Sequence, residues 1–134
     1  MIGIVIAAHG HLAQELANTA KQILGELPHV SCVSVEPGSS LEELREHIKA
    51  AVMSVDDGDG VLVLVDLLGG SPCTQSLMLC QQGKLEVLTG VNLPMLLKAN
   101  SLRLAMPLLH QLAEALAQYG QRNITLASDS VRSS

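Results

Sequence analysis

A chain of 134 residues that is 48% hydrophobic and 16% charged can bury a real core without disulfides or metals, and its length points to one domain over 1–134. Its formal net charge of −5, with no basic cluster, argues against nucleic acid as a partner, because phosphate neutralisation needs Lys and Arg. Tyr119 is the single aromatic residue, so bases have no stacking platform, and no apolar run approaches the ~18 residues of a membrane span.

The apolar run Ile2–Ala7 reads as a buried parallel strand that delivers His9-Gly10 at its tip. The run lacks a basic leader and is too short for a secretion signal, so a cytoplasmic location is expected. Leu12–Leu24 follows as a helix, with Leu12, Leu16, Ala20, Ile23 and Leu24 at helical spacing. Val30–Val35 is a second strand. Leu41–Val52 is a helix whose capping box is Ser39 with Glu42 or Ser40 with Glu43. Val61–Val65 is a third strand, and a third helix is expected from Pro72 to about Gln82, placing Cys73 and Cys80 on one face. These two, with Cys32, show no C-x-x-C pairing and read as small hydrophobes in a reducing compartment. Leu85–Leu88 is a fourth strand. Pro94–Tyr119 is helical with a break near Ala105–Pro107, since an interior proline interrupts the ladder. Arg122–Ala127 is strand-like again, and a polar tail over about 129–134 is expected to fray.

Strands alternating with helices imply a doubly wound α/β fold, with a mainly parallel sheet and right-handed crossovers. The compact strand order for four such units is 2-1-3-4, which makes the tips of strands one and three neighbours at the switch point. Those tips carry His9 and Asp66. A carboxylate directly after a buried strand is costly unless partnered. It can accept the Nδ1–H of His9, fix the tautomer and leave Nε2 free as a nucleophile.

Gly69-Gly70-Ser71-Pro72 supplies the rest: two glycines permit close backbone approach, Ser71 is placed as helix N-cap and Pro72 suits the first turn. Unpaired amides there, and at the helix after Gly10, form anion-binding ends where a group of about two negative charges could sit on His9. Gly10, Gly69, Gly70 and Ser71 are therefore the candidate phosphate-binding set. Asn92, in the loop after strand four, would either line the crevice or cap the next helix, with capping favoured. His11 is read as a surface residue opening the first helix, because no cluster of further ligands completes a metal site. His29, His47 and His110 have no partners in the sequence and are read as structural. No Walker loop or dinucleotide fingerprint is present, so no cofactor is expected and the phosphoryl donor would be another protein or a small phosphometabolite.

Four blocks in order, 4–13 around His9, Glu36-Pro-Gly38, 65–72 around Asp66 and Ser71, and 89–95 around Asn92, resemble the mannose-family IIA component of the bacterial phosphoenolpyruvate:sugar phosphotransferase system. The resemblance implies that His9 accepts phosphate on Nε2 from the carrier HPr and passes it to a IIB component, which serves a membrane IIC/IID transporter. Asp66 would match the residue that pairs with Nδ1, and Ser71 the serine near the phosphoryl group. The resemblance also implies a homodimer in which the C-terminal strand, here about Arg122–Ala127, is exchanged and joins the sheet antiparallel. With no IIB block following, a free-standing IIA is expected. Where members of the family often carry an aromatic residue and a Phe-Asn pair, this chain has Leu67-Leu68 and Cys73-Thr74, which bears on partner choice.

Three other readings share some of these residues. A related domain donates phosphoryl groups to dihydroxyacetone kinase, and a regulatory module would use the same His9 chemistry without transport. A small phosphatase or mutase would place Arg before His-Gly, where this chain has Ala8.

Overall fold

The computed structural model describes residues 1–132. Four strands, β1 (Gly3–His9), β2 (Val30–Val35), β3 (Val61–Val65) and β4 (Leu85–Leu88), pair in parallel in the order β2-β1-β3-β4. The helices are α1 (Leu12–Leu24), α2 (Leu41–Val55), α3 (Ser71–Leu77), α4 (Leu93–Ala105), α5 (Leu109–Arg122) and the single turn α6 (Asp129–Arg132). The doubly wound sheet and its reversal between β1 and β3 are as the sequence predicts.

Alternation along the strands builds two cores. Ile4, Ile6 and Ala8 of β1, with Leu62 and Leu64 of β3, pack beneath α1, α4 and α5. Val5 and Ala7, with Val61, Val63 and Val65, pack beneath α2 and α3. The two central strands, β1 and β3, are thus apolar on both faces, which is why the sequence shows continuous hydrophobic runs there rather than alternation. Register then places the site: Ala7 lies opposite Val65 and His9 opposite Val35. Asp66, one residue beyond Val65, emerges beside the end of β1.

The opposite end of the sheet is closed by Arg103, a buried residue on α4. Its guanidinium donates to the carbonyls of Ile2 (2.9 Å), Pro28 and His29 (3.4 Å) and to Asn100 Oδ1 (2.9 Å). One side chain so ties α4 to the entrances of β1 and β2. His29 fits the structural reading, in an unusual way: its φ of 54° is left-handed, and its carbonyl accepts the Ile4 amide at 2.9 Å.

Three expectations change. α3 ends at Leu77, so Cys73 is buried beneath it while Cys80 lies beyond it, exposed, and the two do not share a helical face. Arg122 closes α5, and residues 123–128 form no strand among the described residues. A strand needs a neighbouring backbone; in a single copy this segment pairs with none, and Ile124 and Leu126 stand 83% and 66% exposed. Of the tail expected to fray, 129–132 forms the exposed turn α6, and 133–134 lie outside the described residues.

Replacing Arg103 with Met should lower stability by about 2–4 kcal/mol, because several charge-assisted hydrogen bonds to buried and part-buried acceptors are lost together. Urea denaturation should show a lower midpoint with an unchanged slope.

Candidate active site

His9 ends β1, and Gly10 turns the chain into α1 at a left-handed φ of 61°, a conformation that glycine adopts without strain. His11 is the N-cap of α1 and is exposed, as predicted. Gly69 turns the other loop, with φ at 85°, and Gly70 enters α3 in an extended conformation. The structure therefore brings His9, Gly10, Asp66, Gly69 and Gly70 to one end of the sheet, and Ser71 follows as the first residue of α3.

Asp66 is the hub. Its Oδ2 accepts both the backbone amide of His9, at 3.0 Å, and the His9 ring nitrogen Nδ1, at 2.7 Å. Its Oδ1 accepts the amide of Leu67 at 3.0 Å. The carboxylate side chain is 11% exposed and the imidazole 48%. Burial pushes the Asp66 carboxyl up, but the hydrogen bonds from His9, the charge of its ring and the Leu67 amide outweigh it, so the pKa falls below the usual aspartate value. An ionised carboxylate can only accept, so Nδ1 is the protonated nitrogen. In the neutral ring that leaves a lone pair on Nε2.

The far edge of the ring lies against Gly70. A Cβ at this position would sit 2.9 Å from His9 Cε1 and 3.6 Å from Nε2, and 3.2 Å from a methyl of Leu67. The Gly70 backbone, where α3 begins, thus lies beside the ring edge that carries the nitrogen Asp66 leaves free. Leu67 and Leu68 are exposed and flank this end of the sheet.

Ser71 is not the N-cap of α3. Gly70 is, its carbonyl accepting the Thr74 amide at 2.9 Å, and no side chain caps the helix. Ser71 is half-buried and lines a small pocket of about 50 Å³ with Ser34, Ser40 and Leu44. Ser40 proves to be the cap of α2, accepting the Glu43 amide at 3.0 Å, and Asn92 caps α4 through the Met95 amide at 2.8 Å. His110, read as partnerless, is not: Nδ1 lies 3.1 Å from Glu86 and Nε2 2.6 Å from Glu114, and these carboxylates push its pKa up. The Glu114 contact is an i, i+4 pair legible in the sequence, whereas Glu86 reaches it from β4. Among the described residues, no group of three His, Cys, Asp or Glu side chains is arranged to hold a metal, and no helix is long and apolar enough to cross a membrane.

A family model described as the fructose IIA component of the phosphotransferase system, EIIA-man, matches residues 3–117. The chain belongs to the EIIA-man family. It is 36% identical over 124 residues to the mannose-specific EIIAB component of Escherichia coli strain K12, a match covering 92% of this chain and 38% of that protein. The chain thus corresponds to well under half the length of that relative. With the fructose-specific EIIA component of Bacillus subtilis it shares 31% identity over 104 residues, covering 77% of this chain and 71% of the relative. The solved EIIA component from Streptococcus agalactiae superposes with a TM-score of 0.86 at 30% identity, covering 96% of this chain and 99% of that one. These matches make the chain an EIIA-type component of the mannose/fructose branch and the doubly wound sheet an EIIA fold.

The depressed Asp66 pKa has a signed consequence. Its stabilisation is complete above the unfolded carboxyl value of about 4 and is lost as pH falls through the lower folded value. Asp66→Asn should flatten the acid limb of stability measured by urea denaturation between about pH 2 and 6.

Proposed function

We propose that the protein is a cytoplasmic phosphohistidine carrier of the sugar phosphotransferase system, taking a phosphoryl group on His9 from phospho-HPr and passing it to a IIB component for carbohydrate uptake. The observation that carries this reading is the 2.7 Å contact of His9 Nδ1 with Asp66, on a ring still half-exposed and free at Nε2.

Nε2 attacks phosphorus in line as the bond from phosphorus to the donor nitrogen breaks, and the donor keeps that electron pair. Because Nδ1 stays protonated, the phosphorylated ring carries a positive charge, which the Asp66 carboxylate offsets. The oxygens of the transferring group carry about two negative charges. Backbone amides at Gly10, Gly69, Gly70 and Ser71 would hold them, with the Ser71 hydroxyl adding a hydrogen bond. The position of Gly70 beside Nε2 supports this assignment. Transfer onward reverses the same steps toward the acceptor, so one constellation serves both half-reactions.

A homodimer completes the reading. Ile124 and Leu126 alternate in a segment that pairs with no strand among the described residues, while β4 is an edge strand whose outer side carries only the Gln81–Leu85 bridge among them. Exchange of about Arg122–Ala127 between copies would bury both. A partnership with membrane IIC/IID proteins would run through IIB.

His9→Ala should abolish labelling by phospho-HPr, and His11→Ala should retain it; full labelling of the His9 variant removes the assignment. In sedimentation equilibrium the protein should show twice its 14.1 kDa chain mass, and Ile124→Asp should shift it toward the monomer.

A further inference from the structure

Of the glycines around His9, Gly10 and Gly69 have an evident backbone reason to be glycine, since both adopt positive φ. Gly70 has none. Its φ of −77° and ψ of 165° are extended values that any residue adopts, and they are the values typical of a helix N-cap. At an N-cap, Ser, Asn or Asp would satisfy an orphan amide, as Ser40 and Asn92 do for α2 and α4. Glycine here leaves α3 without a side-chain cap. The explanation lies across the space its side chain would fill: a Cβ would meet His9 Cε1 at 2.9 Å, closer than real Cβ contacts come.

We propose that Gly70 is a positioning residue for His9, its missing side chain forming the slot that the Cε1–Nε2 edge of the imidazole occupies while Nδ1 stays on Asp66. The ring is held from two sides. Asp66 fixes one nitrogen by a hydrogen bond, and the Gly70 backbone limits where the other edge can go. Leu67 borders the same slot, with a methyl 3.2 Å from the position of a Gly70 Cβ. A methyl at residue 70 would meet only side-chain ends, the His9 ring edge and a Leu67 methyl, and its closest contact is with the half-exposed ring. The half-exposed ring must swing outward, and doing so lengthens or breaks the Nδ1–Asp66 hydrogen bond. The fold survives and the tautomer does not.

The catalytic consequence rests on the carrier reading above, but the positional claim is testable without it. In uniformly ¹⁵N-labelled wild-type protein above pH 8, long-range ¹H–¹⁵N spectra should show His9 as the Nδ1–H tautomer. Gly70→Ala should fold with a single cooperative thermal transition, at a modestly lower midpoint because alanine is a poorer N-cap than glycine, and show a mixture with the Nε2–H tautomer. Gly70→Ser should show the same mixture even though its hydroxyl can cap α3. Labelling of Gly70→Ala by phospho-HPr should slow about 10- to 100-fold, the scale expected of a displaced nucleophile. A pure Nδ1–H tautomer in Gly70→Ala overturns the proposal, as does recovery of the wild-type tautomer in Gly70→Ser, which would trace the effect to helix capping. A mixed tautomer in both variants supports it even if the wild-type protein accepts no phosphoryl group, an outcome that would remove the carrier reading alone.

Discussion

An ionised carboxylate placed directly after a fully buried strand demands hydrogen-bond donors, and the arrangement at this end of the sheet follows from that demand. Asp66 receives three: the His9 amide, the His9 imidazole and the Leu67 amide. Two of them come from a residue 57 positions away in the chain, so the contact depends on the β1–β3 pairing. Were β3 to slip by one residue against β1, its apolar set would exchange faces and Asp66 would leave His9. The uninterrupted buried run of β3 and the separate cores on its two faces make such a slip costly.

The two ends of the sheet solve opposite problems. At the carboxyl end, backbone amides and a half-exposed ring are left available, and the loops there turn on glycines. At the amino end, Arg103 fills a buried position and gathers carbonyl oxygens from the segments leading into β1 and β2. Rigidity at one end supports precision at the other, since β1 runs directly from the Arg103 contacts to His9. The proposed carrier role requires an accessible nucleophile, and accessibility is usually obtained at the expense of order. Here the ring's order comes from Asp66 and the adjacent backbone rather than from enclosure.

Much of this was legible in the sequence because it follows from simple periodicity. The four apolar runs gave the strands, the strand-helix alternation gave the order, and the order made neighbours of His9 and Asp66. The proline at 107 located the break between α4 and α5. Misplacements occurred where local rules met tertiary constraints. Ser71 is a better capping residue than Gly70 by side-chain chemistry, yet Gly70 is the N-cap and the helix starts one residue earlier, with the imidazole across the space a side chain at 70 would fill. α3 stops at Leu77, short of the extent its helical spacing suggested. Arg103 carried a readable signal, a charge on the same stripe as Leu96 and Ala99, but its acceptors come from distant turns that no local pattern reveals. The link from His110 to Glu86 likewise needed the docking of α5 on β4.

The uneven capping of the helices sets bounds on how this protein could be made more heat-tolerant. α2 and α4 already carry Ser40 and Asn92, whereas α1, α3 and α5 begin without a side-chain acceptor. Installing Asp or Ser at Leu108, an exposed position at the start of α5, is open to an engineer and is worth on the order of 1 kcal/mol. The same routine repair at the start of α3 is closed, because any atom added there is taken from the space of the His9 ring. Consensus-style optimisation that treats helix starts as interchangeable would harden the scaffold and displace the imidazole it positions.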